Sequence, residues 1–132
     1  MKTRTVLQAK RLGIVSCVGS DPLAQIVARM ADDDISALVV TDVNGHLTGV
    51  ISRSDLLRAY VEALDWRTAT VEQFMTRQVI TVAPDTLLSD AALLLLGRHI
   101  HRVVVVRQEE EGLRPIAVLS DSDLVCEMAA SL

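Results

Sequence analysis

The sequence predicts an α+β fold in which one β-α-β-β-α unit occurs twice. Two observations carry that prediction. The phrase Gly49-Val-Ile-Ser52-Arg53-Ser54-Asp55-Leu56 returns as Ala117-Val-Leu-Ser120-Asp121-Ser122-Asp123-Leu124. The match also reaches far upstream: at an offset of 65, Thr5-Val6-Leu7-Gln8 falls on Thr70-Val71-Glu72-Gln73, Ile35 on Ile100, and Val39-Val40 on Val104-Val105. A three-residue insertion in the Gln108 to Gly112 stretch then moves the offset to 68, where it stays through Leu124. Duplication of a supersecondary unit with one altered loop leaves this pattern, and two long copies predict a paired domain rather than a stacked array. The repeats are expected at residues 5–66 and 67–130.

Each element follows from local pattern. Ile14 to Val18 is a short apolar strand, and Asp21-Pro22 reads as an N-cap followed by proline in the first helical turn. Leu23, Ile26, Val27 and Met30, spaced i, i+3, i+4 and i+7, mark one buried helical face. Asp32-Asp33-Asp34 ends that helix in solvent; consecutive carboxylates there diverge and do not make a metal site. Ala37 to Thr41 is a strand, Asp42-Val-Asn44-Gly45 a hairpin turn, and His46 to Ile51 the returning strand. A helix over Ser54 to Leu64 has Leu56, Leu57, Tyr60 and Val61 as its apolar side.

After a link at Asp65 to Thr70, the second copy spells the same order. A short helix covers Val71 to Thr76, and strand Val79 to Val82 follows. Helix Thr86 to Arg98, strands Arg102 to Arg107 and Arg114 to Leu119, and helix Ser122 to Ala130 complete it. One such half has too few elements to bury both faces of its sheet, so two halves packed through their sheets are expected to form the stable unit.

Composition narrows the function. Half of the 132 residues are hydrophobic, but Tyr60, Trp66 and Phe74 are the only aromatics, which removes the stacking platforms of RNA and single-strand binders. A formal charge of −4 argues against a duplex-binding basic stripe. Lys2, Arg4, Lys10 and Arg11 make a small basic N-terminal run, read as a solvated segment. Cys17 and Cys126 lack metal or CxxC spacing and are expected to be reduced, mostly buried thiols. Neither a signal peptide nor an apolar run of about 20 residues is present, so a cytoplasmic protein is expected. His99 and His101, two residues apart at a helix end, lack the further ligands a metal needs. No histidine can be placed beside Ser52 or Ser120 to form a nucleophile and base, so no enzyme and no prosthetic group is expected.

The repeated Ser-x-x-Asp has two readings. At a strand-to-helix turn the serine caps the third helical amide and the carboxylate reaches back, which serves the helix alone. The same turn can also hold a ligand, because a carboxylate accepts from vicinal hydroxyls and free helical N–H groups attract an anion.

With the element order, the duplication and both closing phrases in hand, the chain resembles the CBS-domain family, specifically a stand-alone bacterial-type tandem CBS pair, or Bateman module, with pseudo-two-fold symmetry. Ile35 to Val40 and Ile100 to Val105 look like the family's central strand and its entrance. Ala117 stands where the family usually has glycine, and Val39 and Val104 where it often has proline. The resemblance implies a regulatory module that binds AMP, ADP, ATP or S-adenosylmethionine in clefts between the repeats and relays this to a partner or across a homodimer. It implies that one cleft gathers Ser52, Arg53 and Asp55 with Thr81, His101 and Arg102. The other would gather Ser120, Asp121 and Asp123 with Ser16, Ser36 and Ala37. Arg53 and Arg102 suit phosphate, whereas Asp121 stands where the first phrase has Arg53, so a phosphorylated nucleotide is expected to prefer the Asp55 cleft. The alternative is a dimerisation or docking module without a small ligand, using the exposed parts of the helices at Leu56 to Leu64 and Leu124 to Ala130.

Overall fold

A computed structural model describes residues 4–10 and 13–132. Lys2 and Arg11 of the basic N-terminal run lie outside the described residues. In chain order the elements are α1 (Val6–Ala9), β1 (Ser16–Val18), α2 (Leu23–Asp33), β2 (Ala37–Thr41), β3 (Leu47–Ser52) and α3 (Arg53–Glu62). A single 3-10 turn (Trp66–Thr68) leads to α4 (Val71–Phe74), β4 (Thr81–Val82), α5 (Leu88–Arg98), β5 (Arg102–Glu109), β6 (Gly112–Ser120) and α6 (Asp121–Ala130).

Each copy builds a three-stranded mixed sheet, β1-β2-β3 and β4-β5-β6, with a parallel first pair and an antiparallel hairpin. The register break in the hairpin is duplicated too, between Val40 and Thr41 and between Val105 and Val106. In one core, Leu23, Ile26 and Met30 of α2 pack with Leu38, Val40 and Ile51. In the other, Leu88, Ala91 and Leu95 of α5 pack with Val103, Val105 and Leu119. Fully burying an aliphatic side chain of this size contributes about 1.5–3 kcal/mol, so these faces hold the long helices on their sheets.

Both long helices end in the same way. Asp34 and His99 adopt left-handed φ values of 50° and 53°, unusual for residues with a Cβ. The next residue then turns inward: Ile35 donates its N–H to the Met30 carbonyl at 3.3 Å and Ile100 to that of Leu95 at 3.1 Å, the six-to-one bond of a Schellman end. Both isoleucines pack on their cores, which explains why Ile35 and Ile100 recur in the sequence.

The helix starts differ from expectation. Asp21 does not cap α2; its carboxylate accepts the Val18 N–H at 3.0 Å, and extended Pro22 occupies the cap position. The first helical N–H is satisfied instead by a distant carbonyl, Leu23 donating to Ala69 at 2.9 Å. The second copy repeats this, with Leu88 donating to Arg4 at 2.9 Å. Two further backbone bonds follow in each case: Val71 N–H to Asp21 and Glu72 N–H to Gly19, matched by Val6 N–H to Thr86 and Leu7 N–H to Pro84. The short helices α1 and α4 that make these contacts carry identical capping boxes, Thr5 with Gln8 and Thr70 with Gln73.

Each short helix therefore docks against the long helix of the other repeat. The chain accordingly divides into two compact units, Val15–Val79 and Ile80–Leu132, the latter joined by the described residues up to Ile14. Compact units and sequence repeats are thus different divisions of the same chain.

Burial brings two more differences. Leu57, Tyr60 and Val61, read as the apolar side of α3, are exposed, and Asp55 and Ala59 are the residues that face inward. Cys17 is buried as expected, and burial pushes its thiol up to about 11. Cys126, by contrast, is exposed on α6. No helix among the described residues is long and apolar enough to cross a membrane.

Gly49 shows how tightly the docked segment is fitted. A Cβ there would stand 2.7 Å from the Thr76 carbonyl oxygen, and Val50 exchanges two backbone hydrogen bonds with Thr76. Gly49→Ala is expected to lower stability by about 1–3 kcal/mol through overpacking against backbone. Gly97→Ala, in a helical position with nothing within 4 Å, is expected to raise it by roughly 0.4–1 kcal/mol. Urea denaturation of the two variants beside the parent checks both signs.

Candidate functional site

The two closing phrases form the same turn. Ser52 and Ser120 are the N-caps of α3 and α6, with capping boxes completed by Asp55 and Asp123. Within each unit this turn lies beside the strand entrance of its own repeat. Ala37 pairs with Ser52 and Arg102 with Ser120, while Arg53 donates its N–H to the Ser36 carbonyl and Asp121 donates to that of His101. Ser16 on β1 pairs with Val39, and Thr81 on β4 with Val104. Ser36 and Ala37 thus neighbour the Asp55 turn, and His101 and Arg102 the Asp123 turn.

Arg53 and His101 are both engaged locally. The Arg53 guanidinium meets Asp34 at 3.4 Å on the surface. His101 Nδ1 lies 3.0 Å from an Asp121 carboxylate oxygen. That hydrogen bond holds the exposed Asp121 carboxyl below its usual range.

The two aspartates differ sharply. The Asp55 side chain is only 4% exposed. Its Oδ2 accepts the Ser52 N–H at 2.9 Å and the Ser52 hydroxyl at 3.1 Å. Its Oδ1 accepts from the Arg58 guanidinium at 3.1 Å and the Thr76 hydroxyl at 3.2 Å. A buried carboxylate satisfied by a cation, two hydroxyls and an amide is sealed, and leaving any of those groups unpaired would be costly. Arg58 also stacks over Phe74, 5.8 Å from the ring centroid, which fixes it further.

Asp123 is 31% exposed. Its Oδ2 accepts the Ser120 N–H at 2.8 Å and the Lys10 ammonium at 3.0 Å. At the offset of 68, the position of Arg58 is held by Cys126, so the second turn lacks the cation that closes the first. Sequence reasoning missed Arg58, Thr76 and Lys10. Arg58 was legible as the i+3 partner of Asp55; the other two reach their carboxylates only because α4 and α1 dock across repeats. The expected advantage of the Asp55 turn drew on Arg53, Arg102 and His101; Arg53 pairs with Asp34 and His101 with Asp121. Among the described residues no group of three or more His, Cys, Asp or Glu could hold a metal ion.

Two copies of one sheet, each leading through a Ser-x-x-Asp capping box into a helix, define the class of the module, and comparison with known proteins identifies its family. The CBS domain family matches residues 9–62 and 71–130, and the chain belongs to that family as a tandem pair. It is 30% identical over 103 residues to arabinose 5-phosphate isomerase KdsD of Pseudomonas aeruginosa, covering 78% of this chain but 31% of the isomerase. It is 39% identical over 49 residues to the 5'-AMP-activated protein kinase subunit gamma-3 of Homo sapiens, covering 37% of this chain and 10% of that subunit. This chain thus spans a third or less of both relatives. Among solved structures, the CBS domain pair of protein MJ0100, in complex with 5'-methylthioadenosine and S-adenosyl-L-methionine, superposes with a TM-score of 0.85. That likeness covers 98% of this chain and 99% of the other at 20% identity, and is one of fold.

The Asp123 carboxyl titrates below its ordinary value: burial pushes it up, but the Ser120 N–H and the Lys10 ammonium outweigh that. A carboxyl depressed in the folded state contributes stability above its unfolded pKa of about 3.9, and that contribution is lost as pH falls through the lower folded value. The stability difference between the parent and Asp123→Asn is therefore expected to be full at neutral pH and to shrink below about pH 4. Denaturant midpoints measured from pH 7 down to pH 3 check this.

Proposed function

We propose that this module is a sensor of an adenosyl compound, AMP, ADP, ATP or S-adenosylmethionine, held at the Ser120–Asp123 turn. In this reading Asp123 takes the ribose hydroxyls, the start of α6 faces the first phosphate or its equivalent, and Thr81, His101, Arg102 and Asp121 line the approach. The observation that carries it is the contrast between the carboxylates. Asp123 is part exposed and paired with a part-exposed lysine, whereas Asp55 is enclosed by Ser52, Arg58 and Thr76. A ligand at the Asp55 turn, with Ser16, Ser36, Ala37, Ser52 and Arg53, would first have to displace those partners. The adenosyl ligands of the MJ0100 pair and the AMP in the name of the kinase relative support the ligand class. Binding would act on a partner through whichever state of the module it favours, by its differential affinity alone.

Thermal denaturation with each nucleotide tests this reading. An adenosyl compound at about 100 times its dissociation constant is expected to add on the order of 2.7 kcal/mol, with no shift from GTP. Asp123→Ala is expected to abolish the shift. A flat profile across all adenosyl compounds would reduce both turns to helix caps.

A specific observation favours a second role beside the first. Leu57, Tyr60 and Val61 on α3 are all exposed and spaced i, i+3 and i+4. They form one apolar stripe at helical period, a pattern that exposed helices seldom carry without a partner. The proposed occupant is a second copy of the chain, which would bring its own stripe into a helix-to-helix contact. Sedimentation of Val61→Glu beside the parent checks this: the parent is expected to dimerise and the variant to be monomeric at equal concentration.

A further inference from the structure

Lys10 belongs to neither closing phrase, yet it is the only cation among the described residues seen paired with the Asp123 carboxylate. Its backbone is fixed. Val6, one turn earlier, is fully buried in the core of this unit, and the Lys10 N–H donates to the Val6 carbonyl at 2.9 Å. Arg4, at the other end of the same segment, pairs with Glu127 on α6. The Lys10 ammonium carries fewer restraints: among the described residues it is seen in one ion pair, with Asp123 at 3.0 Å. A long, flexible, strongly hydrated ammonium can leave one anion for another within its reach at little cost. At the other turn the counter-ion of Asp55 is Arg58, which also bonds the Phe74 carbonyl and stacks on the Phe74 ring.

We propose that Lys10 is the charge-selecting residue of the Asp123 turn: it neutralises the carboxylate when the turn is empty and moves to the anionic group of a ligand that takes the carboxylate over. This rests on the assignment of ribose to Asp123 made above. A neutral nucleoside that engages Asp123 takes from Lys10 the one anion it is paired with among the described residues and offers none in return. A nucleoside monophosphate replaces that anion with its own phosphate. The lysine therefore penalises uncharged ligands and spares charged ones, although Asp121 adds negative charge at the same turn. In the other turn Arg58 is held by the Phe74 carbonyl and ring as well as by Asp55, so following a ligand would cost it those contacts.

Calorimetric titration of adenosine and of AMP into the parent, Lys10→Met, Lys10→Arg and Asp123→Asn separates the possibilities. The parent is expected to prefer AMP. Lys10→Met is expected to bind adenosine more tightly and to lose about five-fold or more of the preference for AMP, the effect of one part-exposed ion pair. Lys10→Arg is expected to retain the preference, and Asp123→Asn to weaken both ligands. An unchanged AMP-to-adenosine ratio in Lys10→Met, with both ligands weakened by Asp123→Asn, would overturn the role of Lys10 and leave the ribose assignment standing. Unchanged binding in Asp123→Asn, or no binding by any of the four proteins, would overturn both.

Discussion

The constraint on which the rest of this structure depends is the docking of each short capped helix on the other repeat. Three backbone N–H groups at each junction are satisfied across the repeats: Leu23, Val71 and Glu72 in one unit, and Leu88, Val6 and Leu7 in the other. Buried backbone groups must find partners somewhere, and here the first turn of each long helix finds one in the segment preceding the short helix. Without the exchange, α2 and α5 would begin with unsatisfied donors, and Val6 and Val71 would lose their places in the two cores.

The same exchange decides the chemistry of the two turns. Because α4 docks beside the first sheet, the chain continues into Thr76, whose backbone pairs with Val50 and whose hydroxyl reaches Asp55. Because α1 docks beside the second sheet, the chain continues into Lys10, which reaches Asp123. One carboxylate, 4% exposed, is closed by a short hydroxyl and a stacked arginine; the other, 31% exposed, is met by a lysine. Two copies of one motif thus acquire different accessibilities from residues outside the motif.

Much of this fold was legible because its signals are local. The α2 face at Leu23, Ile26 and Met30, the Asp42 to Gly45 turn, and the hydrophobic runs of β2 and β5 all follow from periodicity or turn chemistry. The turn itself is held by the Asp42 carboxylate, which accepts the Asn44 and His46 N–H groups, and by Gly45 at a φ of 82°. The Ser-x-x-Asp turns were legible both as caps and as candidate sites, and the caps are present in full. What sequence could not supply was tertiary. The Thr5 to Gln8 match was visible, but a four-residue helix there is too short to announce itself by periodicity. Asp21-Pro22 looked like a helix start because it has the right chemistry; the docked segment supplied a carbonyl instead. The apolar residues of α3 suggested a buried side, yet Asp55 and Ala59 face inward and Leu57, Tyr60 and Val61 face out. That inversion follows from the capping box, since reaching back to Ser52 points Asp55, and with it Ala59 one turn on, toward the sheet.

The central claim is that the Asp123 turn, and not the Asp55 turn, is the one that accepts an adenosyl ligand. A crystal structure of the protein grown with AMP tests it most directly. The account predicts a ribose within hydrogen-bonding distance of Asp123, Lys10 moved off that carboxylate, and Asp55 still bonded to Ser52, Arg58 and Thr76. A nucleotide bound at Asp55 with Thr76 displaced, and Lys10 still paired with Asp123, would contradict it.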